Sequence, residues 1–282
     1  MKLKLSPHWI LLIPGMAMML FFFIVPLGQI FIISFFKSQP DGAFTLENYS
    51  KFLTDSHYLK ILWRTIWIGF VTSIVCLVLG YFLSYGIARA KAKYQNFLLL
   101  LVILPLLTSA VVRNFGWMVI MGKKGLINET LLALHIISSP IEILYTPLGV
   151  IIAMTHVLLP FMVLVLYPIL SSMDLNIEHA SENLGASPFK TFWLVTIPLS
   201  LPGIFAGTLL VFSIAISFYI TPALIGGPKV PVMATEIYNQ TMNLLNWSYA
   251  SSIAVILLIA VLLIISIYNK MLSKVSNQGG GL

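Results

Sequence analysis

Residues 174–203 read DLNIEHASENLGASPFKTFWLVTIPLSLPG. Read locally, this is a helix, a turn and a second helix. Asp174 or Asn176 can cap a short helix running to about Leu184, because a side-chain oxygen there accepts one of the unpaired first-turn N–H groups. Gly185 stands where a helix end needs a left-handed residue. Ser187 can cap the next helix, with Pro188 at its first position, where the missing N–H costs nothing. Pro198 and Pro202 are then expected to mark the start of an apolar span. Connections inside a fold are usually short and plain, so a built two-helix insertion points to a task of its own.

The surroundings of this polar interval are apolar. Of 282 residues, 59% are hydrophobic and 9% charged, with a mean hydropathy of +0.98. Soluble domains carry about 25% charge, and disordered chains are poor in large apolar groups. Both classes are excluded, and a polytopic membrane protein remains. A membrane helix needs roughly 20 apolar residues to cross about 30 Å of hydrocarbon. Six segments meet this: 9–36, 65–88, 95–113, 146–170, 199–222 and 249–269. Long apolar runs satisfy their backbones as helices, and the short alternating strands of a barrel are not seen. The expected fold is therefore an all-α membrane protein with six transmembrane helices. Lys2 and Lys4 precede the first run as in a signal peptide, but 9–36 is too long for one and is read as a retained helix.

Pro14, Pro26, Pro105, Pro160 and Pro168 fall inside spans, as packing kinks or as a hinge. Residues 37–60 form a polar loop containing Pro40, Asp41 and Gly42, and 89–94 form a tight basic turn. Residues 114–145 are semi-apolar, with Leu126 to Leu134 suited to a short interfacial helix, and 223–248 are rich in turn residues. The excess of Lys and Arg on cytoplasmic loops sets orientation. With both termini inside, the inner side holds Lys2, Lys4, Arg89, Lys91, Lys93, Lys190, Lys270 and Lys274. The outer side holds Lys37, Lys51, Lys60, Arg64, Arg113, Lys123, Lys124 and Lys229. The counts are equal, and the dense turn at 89–93 favours this placement. The net charge of +7 is thus basic loop ends, with no Lys/Arg block for nucleic acid. Cys76 is the single cysteine, and no Cys/His cluster has metal-ligand spacing.

The interval 171–198 resembles the cytoplasmic loop signature of ABC importer permeases: Glu-Ala-Ala, three residues, Gly, nine residues, Ile-x-Leu-Pro. The matching positions are His179-Ala180-Ser181, Gly185 and Val195-Thr196-Ile197-Pro198. His179 replaces the usual Glu, with Glu178 just before it, and Ser181 replaces the second Ala. The resemblance extends over roughly residues 44–270. It is carried by Phe44 to Tyr49, by Arg113 to Asn128 with Gly125-Leu126-Ile127-Asn128, by Leu158 to Val163 and by Pro222 to Gly227. Together these look like the spermidine/putrescine branch, and within it the first permease subunit. Other relatives in the branch carry iron, phosphonates, thiamine or opines.

This resemblance implies a type I ABC importer permease fold in a bacterial inner membrane, both termini cytoplasmic. Residues 1–60 would hold the first helix and outer loop, 61–270 a five-helix core, and 271–282 a cytoplasmic tail. Glu178, His179, Ala180, Ser181, Leu184, Gly185 and Pro198 would form the coupling loop that docks on a cytoplasmic ATPase. Implied partners are a second permease, different or identical, two ATPase subunits, an extracytoplasmic substrate-binding protein and membrane lipid. The chain has no Gly-x-x-x-x-Gly-Lys-Ser/Thr loop for phosphate. ATP and Mg are therefore expected on the partner, with no cofactor in this chain, which is expected not to be an enzyme.

Polar residues inside a membrane are expensive and default to functional candidates. His156 lies four residues before Pro160, either as a helix contact or in a solute path. Ser213 and Ser217 share one helix face near Tyr219, for packing or for binding. Arg113 and Trp117 are expected at the outer end of the third span, anchoring it or lining the path. The spans as drawn lack Asp and Glu, and Glu129, Glu142 and Glu236 fall in outer loops. This weighs against the main rival, a secondary transporter, which needs an ionisable membrane site and inverted repeats. The other rival, a membrane enzyme, needs clustered acids or histidines, and the five histidines are scattered.

Overall fold

A computed structural model describes the backbone of residues 7–37 and 42–279 and the side chains of 12–37 and 42–270. Lys2, Lys4, Pro40, Asp41 and the Lys274 side chain lie outside the described residues. The described residues are helical, apart from loops and one isolated antiparallel bridge between Phe36 and Phe44. Five helices are long and apolar enough to span: α1 (Leu12–Ile33), α2 (Ser56–Arg89), α5 (Pro147–Ser171), α7 (Pro188–Ser217) and α8, whose apolar part is Trp247–Lys270. Between α2 and α5 lie α3 (Ala92–Leu107) and α4 (Ala110–Ala133, with a turn at residues 122–125), which meet at 93°, the shape of a broken span or of a re-entrant loop. Leu175–Asn183, here α6, joins α5 to α7.

The single third span expected over 95–113, with Pro105 inside it as a kink or hinge, is instead broken by this bend. Apolar composition had merged two helices. The chain tightens to a 3₁₀ turn at Leu104–Leu107 around Pro105, and Ser109 is the N-cap position of the next helix. Arg113 therefore sits in the first turn after the break, not at the end of a span. A second correction concerns Pro198 and Pro202. The fifth span does not start there: α7 runs unbroken from Pro188 through a π turn at Phe192–Thr196 to Ser217. The π turn lies just before Pro198, whose ring would block an i−4 bond to Leu194, whereas Pro202 sits inside the α-helical part. Residues 218–222 fall beyond that helix, and 222–243 are not an open loop but a chain of short helical pieces. At about 1.5 Å per residue, the 34-residue α2 is roughly 51 Å long and outreaches the hydrocarbon layer.

The chain divides into two compact units. One combines the stretch ending at Lys60 with Glu236–Leu263. Within it, Ser34 Oγ and Tyr49 Oη lie 2.6 Å apart, Phe52 stacks on Tyr58, and Tyr58 meets Tyr249 edge to face. Glu236, expected in an outer loop, is buried, and its carboxylate accepts a 2.8 Å hydrogen bond from Gln240. The other unit, built on Ile61–Thr235, holds the main core around α5. Met154, Leu158, Met162, Leu166 and Leu170 on α5 are fully buried. Small residues let its neighbours approach closely, as membrane helices require. A Cβ placed on Gly80 of α2 or on Gly207 of α7 would lie 2.6 Å from Met162, which fills the space both glycines leave.

Candidate functional site

The 171–198 interval folds as its sequence reads. Asp174 accepts from the Asn176 amide at 2.9 Å and Ser187 accepts from that of Lys190 at 3.3 Å, so both helix starts are capped. Gly185 adopts φ +91°, its N–H bonds Glu182 O, and the Ala186 N–H bonds Ser181 O. These two bonds are a Schellman closure, which needs a left-handed residue at that position. Across the turn Ser181 Oγ meets Thr191 Oγ1 at 3.1 Å. The tip is bare: Leu184 is 90% exposed, and Ala180 and Phe189 are exposed beside it. His179 points outward with its side chain 66% exposed, 3.9 Å from Glu182.

Glu178 does the opposite. Its side chain is only 14% exposed and its Oε1 takes a 2.5 Å hydrogen bond from Arg89 Nη2. Thr196 Oγ1 donates to the same oxygen at 2.9 Å, and Arg89 Nη1 donates to Leu170 O at 3.1 Å. The Arg89 guanidinium also lies over the Tyr85 ring, 5.2 Å from its centre. The Arg89–Glu178 pair thus joins the ends of α2 and α5, the helix α6 and the π turn of α7. Pro198 lies within α7, just past that π turn. Arg89 and Thr196 were not among the sequence candidates. Arg89 was visible only as the basic end of a span, and nothing in its spacing pointed 89 residues ahead.

The solute-path candidates fall into separate groups. Trp117 and His156 are brought together: the indole N–H donates to His156 Nδ1 at 3.3 Å, with the rings edge to face at 5.5 Å. Arg113 is used locally, donating to Thr108 O at 2.8 Å and Thr108 Oγ1 at 3.2 Å, so it closes the break between α3 and α4. Ser213 bonds Leu209 O and Ser217 bonds Ser213 O and Ile214 O, all in their own helix. Tyr219 follows the end of α7 and is half-buried. A further polar group lies at Lys123–Glu142, paired at 2.6 Å. The hydrogen bond from Lys123, its charge and that of Lys229 hold the Glu142 carboxyl below the usual carboxylate range. No group of three or more metal-ligating side chains occurs among the described residues.

Comparison with known proteins gives a consistent picture. The chain is 33% identical over 263 residues to the spermidine/putrescine transport system permease protein PotB of Haemophilus influenzae, covering 91% of this chain and 92% of that protein. It is 36% identical over 242 residues to PotB of Salmonella typhimurium, covering 83% and 84%. In fold it matches a chain of the bacterial alginate ABC transporter crystallised with an alginate pentasaccharide-bound periplasmic protein. That match has a TM-score of 0.81 at 14% identity, over 95% and 94% of the two chains. A chain of the MetNI methionine ABC transporter matches at a TM-score of 0.55 and 16% identity, covering 79% of this chain and 99% of that one. The described helices therefore have the type I fold of ABC importer permeases. Residues 77–275 match the family model described as binding-protein-dependent transport system inner membrane component, and the chain belongs to that family as a membrane-spanning permease subunit of an ABC importer.

Proposed function

We propose that this permease forms half of the translocation path for a polyamine such as spermidine or putrescine. A second permease, different or identical, supplies the other half. An extracytoplasmic binding protein delivers the solute, and two ATPase subunits, holding ATP and Mg, drive transport. In this reading 171–198 and both termini face the cytoplasm. The observation that carries it is the capped hairpin closed by Gly185, whose bare tip, with Ala180, Leu184 and Phe189 exposed, is apolar enough to enter a groove on an ATPase. The solute assignment draws on the two PotB relatives, which are similar over more than four-fifths of both chains. Trp117, held edge-on to His156, offers an indole face of the kind that attracts an ammonium group.

The test is uptake by the full complex, this chain with its partner subunits and binding protein, in proteoliposomes loaded with ATP. Labelled spermidine and putrescine are compared with iron, thiamine, a phosphonate and an opine. Saturable polyamine uptake that needs ATP, stops with orthovanadate and survives an uncoupler is the expected result. Uptake of one of the other solutes alone overturns the polyamine assignment. Uptake that collapses with an uncoupler while ATP stays high overturns the ATP-driven reading.

A further inference from the structure

We infer that Glu178 is a positioning residue acting from inside the subunit. With Arg89 it forms a strut that makes the hairpin move as one piece with the membrane helices, and contact with the partner is left to His179, Ala180 and Leu184. The inference rests on the reading that the hairpin docks on an ATPase, and it reassigns Glu178 within that hairpin.

The geometry argues it in three steps. First, direction. Of the two adjacent residues, His179 is turned out to solvent while Glu178 is turned in, so the Glu178 carboxylate is not available to a partner. Second, connection. Glu178 Oε1 accepts from both Arg89 and Thr196, and the second Arg89 nitrogen reaches the Leu170 carbonyl. That carbonyl lies in the last turn of α5, where a cation also meets the negative end of the helix dipole. Four elements converge on this one pair: α2, α5, α6 and α7. Third, leverage. Without the strut, α6 keeps its backbone links through residues 172–174, where Met173 packs against the core, and through the turn at Gly185, with the Ser181–Thr191 contact between the two arms of the hairpin. A push on Leu184 would then rotate α6 about its two ends rather than move α5 and α7. A fork-shaped, planar guanidinium suits this task because it holds two acceptors at fixed directions, which an ammonium does not.

The experiment measures ATP hydrolysed per solute imported by the assembled transporter in proteoliposomes, for Glu178→Gln, Arg89→Gln and Arg89→Lys. A residue needed only for folding lowers the yield of complex but leaves that ratio unchanged in the complex that assembles. A strut predicts normal ATPase co-purification with hydrolysis maintained and uptake lost, so the ratio rises about tenfold, within the range of ordinary site-to-site coupling. Arg89→Lys, which keeps a cation beside Glu178 but loses the fork, should fall between wild type and Arg89→Gln. It also serves as the readable variant if Arg89→Gln does not assemble. A wild-type ratio in Glu178→Gln, or uptake and hydrolysis falling in proportion, overturns the inference. Leu184→Glu separates it from the docking reading. If Leu184→Glu retains its ATPase and transports normally, docking at the tip is wrong. If Leu184→Glu sheds the ATPase while Glu178→Gln keeps the wild-type ratio, only the strut is wrong.

Discussion

The Trp117 indole N–H donates to Nδ1 of His156, 39 residues further along the chain, at 3.3 Å and with the rings edge to face. Accepting at Nδ1 fixes the neutral imidazole with its proton on Nε2. Trp117→Phe keeps an aromatic edge but removes the donor, and a half-buried acceptor is left unpaired. The expected loss is about 1 kcal/mol. Replacing both residues by Phe removes donor and acceptor together, so the double variant should be more stable than the two single losses predict. Thermal unfolding of the purified subunit in detergent, read as a double-mutant cycle, checks this. Strict additivity would show that the hydrogen bond contributes nothing.

Met162 is gripped between two glycines on different helices, Gly80 on α2 and Gly207 on α7. At Gly80 the added Cβ would meet Met162 Cγ at 2.6 Å and Cβ at 3.1 Å, close to the backbone, where the side chain cannot swing away. At Gly207 it would meet Met162 at Sδ, 2.6 Å away and part of the flexible end, with Val165 in ordinary contact at 3.6 Å. Gly80→Ala should therefore cost about 1–3 kcal/mol as overpacking, and Gly207→Ala less. Met162→Ala, itself destabilising through the cavity it leaves, should suppress the Gly80→Ala penalty. Melting temperatures of the four variants test the order, and equal losses at the two glycines would contradict it.

Residues that act on their own backbone were legible, and those that act on a distant chain were not. Asp174, Gly185 and Ser187 gave the hairpin away because a cap or a left-handed turn is decided within three or four residues. The apolar runs located the spans for the same reason, since burying a helix in lipid depends on composition alone. Direction is another matter. A count of apolar residues over 95–113 cannot register a 93° change of course, although Pro105 and Ser109 stood at the break. Glu178 and His179 are equally polar in the sequence, and which of them turns inward is settled by Arg89, in another helix. Glu236 reads as a loop acid because the turn-rich 223–248 hides the short helix that carries it.

Gly185 is a backbone requirement rather than a packing one. A Cβ there would touch nothing within 4 Å, yet φ is +91°. Gly185→Ala should thus cost about 1–2 kcal/mol from the left-handed conformation alone, weakening the turn without a clash. A large charged residue, Gly185→Glu, adds a carboxylate at the tip and should abolish uptake while the subunit still reaches the membrane. Membrane abundance by immunoblot and uptake of labelled solute in the same cells check both. Normal uptake in Gly185→Glu would show that the tip enters no groove.

The Lys123–Glu142 pair gives a pH signature whose sign follows from its neighbours. Lys123, by hydrogen bond and by charge, and Lys229, by charge, hold the Glu142 carboxyl below its ordinary value in the folded protein. A group depressed on folding contributes stability above its unfolded pKa and loses it as pH falls through the lower, folded value. The contribution is therefore present at neutral pH and disappears in acid. Both side chains are more than half exposed, so the effect is small and screened by salt. Melting temperature against pH should show a slightly steeper acid limb for the wild type than for Glu142→Gln. In ~1 M salt, where the Debye length is about 3 Å, the two curves should converge. Wild type and Glu142→Gln that stay parallel through the acid range at low salt would mean that Lys123 and Lys229 do not act on this carboxylate.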